Sequence, residues 1–181
     1  MSRPARICPA AGSSPTRRIL VGALLVLAAA AGGLAGRTPA MASGPRPGLL
    51  LGGPAAYAGE RGIATERGQP LLLFFSLAGC TFCEALRSDQ LRHAHARREG
   101  LGIRLVELRM DDERPIPGVE PARSPREIAR ALQVRIAPTV LFLDGEREVA
   151  ERLVGYPSPD FYGAYLDERI EVARAGAQRA P

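Results

Sequence analysis

Apolar and polar positions divide the chain after residue 54 into alternating helical and extended stretches. From about Ala55 to Arg67 the pattern predicts one irregular helix, stopped by Gly68-Gln69-Pro70. Leu71–Ser76 is apolar on both faces and predicts a strand buried in the middle of a sheet. A helix from about Thr81 to Arg98 follows, with Ala85, Leu86, Leu91 and Ala94 among charged positions and Gly100 as its stop. Ile103–Met110 alternates only in part, but its length and flanks predict a strand. Asp111 to Arg123 is rich in proline and glycine and reads as a loop. Ser124-Pro125-Arg126-Glu127 then places an N-cap serine, a proline at the first helical position and an acid at the third, so a short helix runs to about Leu132. Thr139–Leu143 and Glu146–Val154 form a hairpin around Asp144-Gly145. Ser158 to about Ala173 is an amphipathic helix through Phe161, Tyr165, Leu166, Ile170 and Ala173. After the leading helix the order is βαβαββα, an α/β fold with a mixed central sheet, because a right-handed crossover joins the first two strands and a hairpin the last two.

The first 42 residues belong to a different class. Arg17-Arg18 precede an uncharged run, Ile19 to Gly36, and Ala40-Met41-Ala42 supplies a small-x-small site. This is the order of a secretory signal peptide over residues 1–42, cleaved after Ala42. The alternative is an uncleaved anchor at 19–36, since 18 uncharged residues approach the roughly 20 that span hydrocarbon. Its alanines and glycines partition weakly, which favours cleavage. Either way the positive end stays inside and the remainder faces outward. Thr16-Arg17-Arg18-Ile19-Leu20 also admits twin-arginine export. Residues 43–54 read as a flexible tether, 55–175 as the folded domain and 176–181 as a disordered tail.

The net charge of +5 changes meaning once the leader is set aside. Five arginines and no acid lie in residues 1–42, leaving 19 arginines against 19 acids beyond. The folded part is formally neutral, which removes the electrostatic case for nucleic-acid binding.

The chemistry concentrates at Cys80-Thr81-Phe82-Cys83, where the buried strand meets the helix. Helix starts favour negative charge, so a cysteine there can ionise near neutral pH, and a thiolate is what attacks disulfides. Cys8 falls in the leader, so the mature chain keeps two cysteines. With only two residues between them, they close almost no loop and make a poor staple, so in an oxidising compartment they read as redox-active.

Strand, C-x-x-C and Ile136-Ala137-Pro138-Thr139 before the hairpin together resemble the thioredoxin superfamily over about residues 55–174. Gly68-Gln69-Pro70 and Gly155-Tyr156 are similar to exported bacterial members. The resemblance implies a thioredoxin fold with an N-terminal extension helix, Cys80 as attacking thiol and Cys83 as resolving thiol. It also implies a cis-proline at Pro138, with Ala137 offering backbone hydrogen bonds to an extended substrate, and Thr81-Phe82 as tuners of potential beside that substrate. The expected protein is a periplasmic thiol–disulfide oxidoreductase, monomeric and without cofactor. It would act on protein thiols and disulfides and exchange electrons with a membrane redox partner. Two departures stand out. Phe74 occupies the strand position where cytoplasmic thioredoxins keep a buried aspartate, and Ala78-Gly79 replaces their tryptophan-containing approach. The dithiol is therefore expected to work without the usual buried carboxylate.

A rival from another class is a non-catalytic thioredoxin-like module that binds copper(I) or a client peptide, since soft thiolates suit copper(I). A third His or Met ligand downstream would support it, and the stretch after Met110 contains neither. His93 and His95 do not complete a zinc set, because positions i and i+2 on a helix point about 200° apart. Asp111-Asp112-Glu113 reads as a solvated loop flanked by Arg109 and Arg114.

Overall fold

A computed structural model describes residues 50–121, 123–157 and 159–179. The expected leader, with Cys8 and the twin arginines, and the expected tether up to residue 49 lie outside the described residues. In chain order the elements are α1 (Gly53–Arg67), β1 (Leu71–Ser76), α2 (Thr81–Leu86), a π-helical turn (Arg87–Leu91), α3 (Arg92–Ala96) and α4 (Arg98–Leu101). There follow β2 (Arg104–Arg109), α5 (Pro125–Ala131), β3 (Thr139–Asp144), β4 (Arg147–Val154) and α6 (Pro159–Ala177).

The strands form one sheet in the order β2-β1-β3-β4, with β1 parallel to β2 and the other pairings antiparallel. The thioredoxin fold is present, a mixed sheet with helices on both faces. Alternation along the buried strands separates two cores. Leu72 and Phe74 of β1, Leu105 of β2 and Val140 and Phe142 of β3 pack under α2, α3 and α6. Leu71, Leu73, Phe75, Val106, Leu108, Leu141 and Leu143 pack under α1 and α5.

Local signals account for several boundaries. Gly68 and Gly102 close helices in the left-handed conformation, which costs glycine nothing. Ser124 and Glu127 form a full capping box at α5. Gly145 turns the hairpin at φ +64°.

Four expectations change. The single helix over 81–98 is broken into α2, the π turn, α3 and α4, and it ends at Gly102, not Gly100. Leu86, the last residue of α2, and Arg87, the first of the π turn, are both buried at this break. On α6 the buried stripe is Tyr162, Leu166, Ile170, Ala173 and Ala177, while Phe161 and Tyr165 are 66% and 52% exposed. Folded structure also reaches past the expected limits: Leu51 and Gly53 are buried, and α6 continues to Ala177. The acidic triplet is not simply solvated, because Asp111, Asp112 and Glu113 pair with Arg109, Arg114 and Arg126.

Candidate active site: a dithiol at the end of the central strand

β1 delivers the chain to the site. After Ser76 the segment Leu77-Ala78-Gly79 turns, with Gly79 at φ +68°, and Cys80 takes the N-cap position of α2 in extended backbone. The Cys80 sulfur accepts a hydrogen bond from the Cys83 backbone N–H at 3.1 Å. That bond, with the orphan donors of a first helical turn, favours negative charge on Cys80 once the pair is reduced. Cys80 and Cys83 are joined as a disulfide of 2.09 Å, with Cα atoms 5.2 Å apart. Their environments differ. Cys80 is partly exposed, whereas Cys83 is wholly buried against the core under α2.

The other predicted residues gather at the same end of the sheet. Thr139, next to Pro138, pairs with Phe75 of β1, so the segment before β3 lies beside the strand that carries the dithiol. The Ala137–Pro138 peptide bond is cis, as is Glu120–Pro121. Pro138 is buried, and its carbonyl accepts the Gly155 N–H at 2.7 Å. Ala137 is half-buried, and its N–H and C=O have no partner among the described residues. Those groups are available to an extended chain laid across the site. Thr81 is exposed, as are Phe82 and Leu77 on either side of Cys80 in the chain and Ile136 just before the cis bond. His93 is exposed and His95 half-buried on α3. Among the described residues no three His, Cys, Asp or Glu side chains are grouped to hold a metal ion.

One residue near the site escaped the sequence reading. Phe74 does leave its strand position without a carboxylate, but its neighbour across the parallel pairing is Glu107, fully buried in β2. Glu107 accepts hydrogen bonds from Ser76 Oγ at 2.6 Å, Arg87 Nε at 2.7 Å, Arg87 Nη2 and the Leu51 N–H at 3.2 Å. Hydrogen bonds to Glu107, and after them the negative charge of Glu84, raise the Arg87 guanidinium above its ordinary value despite burial. Arg87 Nη1 meets Glu84 Oε2 as an ion pair without hydrogen-bond geometry. The one visible signal was a charge inside Leu105-Val106-Glu107-Leu108, an apolar stretch where an unpaired acid would not be buried.

A mixed four-stranded sheet with a C-x-x-C pair at the first strand-to-helix turn and a proline opening the facing strand defines a thioredoxin-like domain. The model of the thioredoxin-like domain family matches residues 60–170, and the chain belongs to that family. No protein of curated function matches it. Among solved structures it is similar to the reduced periplasmic thioredoxin SoxS from Paracoccus pantotrophus, at 28% identity and a TM-score of 0.41, over 58% of this chain and 99% of that one. It is also similar to DsbH oxidoreductase, at 18% identity and a TM-score of 0.48, over 64% and 81%. Thioredoxin from Trypanosoma brucei brucei matches at 14% identity and a TM-score of 0.46, over 69% and 93%.

Proposed function

We propose that the protein is a periplasmic thiol–disulfide oxidoreductase that acts on protein disulfides through Cys80 and Cys83. The observation that carries this reading is the unequal exposure of two bonded sulfurs one helical turn apart. A client can reach Cys80, and Cys83 is held where only Cys80 is within reach. In the reducing direction the Cys80 thiolate attacks one sulfur of a client disulfide. That S–S bond breaks, a Cys80–client mixed disulfide forms, and the other client sulfur leaves as thiolate and takes up a proton. Cys83 then loses its proton and its thiolate attacks the Cys80 sulfur, which forms the Cys80–Cys83 disulfide and releases the second client thiol. Two electrons pass to the client, and a membrane dithiol returns them; the oxidising direction is the reverse sequence.

Ala137 and Pro138, with Thr81 and Phe82, form the client-facing surface in this reading. The free backbone groups of Ala137 support an extended client, and exposed Phe82 supports an apolar contact. The leader-like residues 1–42 support a periplasmic address.

The test is a trap. A Cys83→Ser variant expressed with its leader is expected to accumulate mixed disulfides through Cys80 that reducing agent releases. Recovery of no such adduct, under conditions where a Cys80→Ser control is equally silent, contradicts catalysis in the cell.

A further inference from the structure

Glu107 is a buried carboxylate that the exchange steps above do not use. It lies on the sheet face covered by α2, in step with Leu105, and opposite Phe74. Its hydrogen bonds reach Ser76, four residues before Cys80, and Arg87, four residues after Cys83. A single carboxylate therefore ties down both flanks of the segment that carries the dithiol, and through the Leu51 N–H it also holds the chain that enters α1. Arg87 and Cys83 are both buried and spaced i,i+4, so they share one helix face at about 6 Å between Cβ atoms. The Arg87 guanidinium also lies 5.9 Å from the centre of the Phe74 ring. A buried ion pair adds little stability beyond that of well-packed apolar side chains of the same size. Stability alone is therefore a weak reason for this one, whereas a charge one turn from a thiol has a direct chemical effect.

We propose that Arg87 and Glu107 are a charge-matched positioning pair for the dithiol, each cancelling the other's field at the Cys83 sulfur, with the hydrogen bonds from Ser76 and Leu51 holding the carboxylate in register for that role. The inference rests on the dithiol reading above. The other charged or titratable groups around the site are Glu84 on α2, Asp89 on the π turn, Tyr156 after β4 and Tyr162 on α6. Glu84 is half exposed, and Asp89 accepts a hydrogen bond from the Tyr156 hydroxyl at 3.2 Å. Burial pushes both tyrosine hydroxyls above their ordinary value, so they remain neutral at physiological pH. Among the described residues on this face of the sheet, Arg87 and Glu107 are the charges held fully inside.

The experiment is the equilibrium in which the protein disulfide and two glutathione thiols exchange with the protein dithiol and one glutathione disulfide. Glu107→Gln keeps the size and leaves Arg87 facing Cys83, which favours thiolate; the equilibrium is expected to move about tenfold toward the dithiol, and the thiol titration to lower pH. Arg87→Gln leaves the carboxylate and is expected to move both the other way. The double variant, neutral at both positions, is expected to return to within about threefold of the original protein, since the two opposing charges are removed together. Merely loosening the segment would shift both single variants in one direction and the double variant further still, and that result overturns the proposal. If Arg87→Gln does not fold, the comparison of Glu107→Gln with the double variant decides. Exchange in the original protein with unmoved variants defeats this inference alone. Absence of exchange in the original protein defeats the dithiol reading as well.

Discussion

Asp112 shows how one carboxylate couples the loop before α5 to pH. The Arg114 guanidinium and, after it, the Arg114 backbone N–H bring its carboxyl down to about 2, against the opposing effect of burial. The folded value lies below the unfolded one of about 3.9, so the contribution is complete above about pH 4 and is lost as pH falls through the folded value. Arg114 is 85% exposed, so solvent screens the pair and the contribution is about 1 kcal/mol. Asp112→Asn is expected to lower stability by that amount at neutral pH and to flatten its decline between about pH 4 and pH 2, as read by urea unfolding. An unchanged acid limb would assign that decline to other groups. The contrast with Glu107 explains what a sequence can reveal at this scale. Asp112 pairs two residues away and its arginine flank was visible, although its burial was not. Glu107 pairs with Arg87, 20 residues distant and on another element, so only the fold brings the two together.

Elements were legible where their determinants are local. The apolar run Leu71–Ser76, the Ser124–Glu127 capping box and the Asp144-Gly145 turn each specify a structure within a few residues, and each element stands close to its expected place. The break in the helix after Cys83 was not legible, since nothing between Thr81 and Ala96 is a glycine or proline; the π turn begins at Arg87, whose partner Glu107 lies on β2, 20 residues away. The face of α6 was ambiguous because aromatic residues occupy neighbouring positions, Phe161 beside Tyr162. Ile170→Ala is expected to cost about 2–5 kcal/mol through the cavity left against the sheet, and Phe161→Ala about 0.5 kcal/mol or less. Equal costs in thermal unfolding would return Phe161 to the core. Gly176 sharpens the same packing: a Cβ there would meet Val149 Cβ at 2.9 Å and its carbonyl at 3.0 Å on β4. Gly176→Ala is therefore expected to destabilise, although helix propensity alone would favour alanine by about 1 kcal/mol.

At the scale of the molecule, β1 is central in every sense that matters for the site. It pairs with β2 and β3, its side chains enter both cores, and its end launches the dithiol. The C-terminal end of β1 meets the start of β3, which brings Pro138 to Cys80 across 58 residues of chain. This arrangement was open to a reading of the sequence through the resemblance that Cys80-Thr81-Phe82-Cys83 and Ile136-Ala137-Pro138-Thr139 carry, and the strand order then shows it. The charge pair on β2 and the π turn was not, because it depends on register between strands. The central claim is that the Cys80–Cys83 pair exchanges disulfides with proteins, as distinct from holding a ligand. Dithiothreitol-driven reduction of insulin tests it most directly: the protein is expected to accelerate precipitation of the insulin B chain, and Cys80→Ser to fall to the uncatalysed rate. A wild-type rate no higher than that of Cys80→Ser would contradict the claim and favour a binding module.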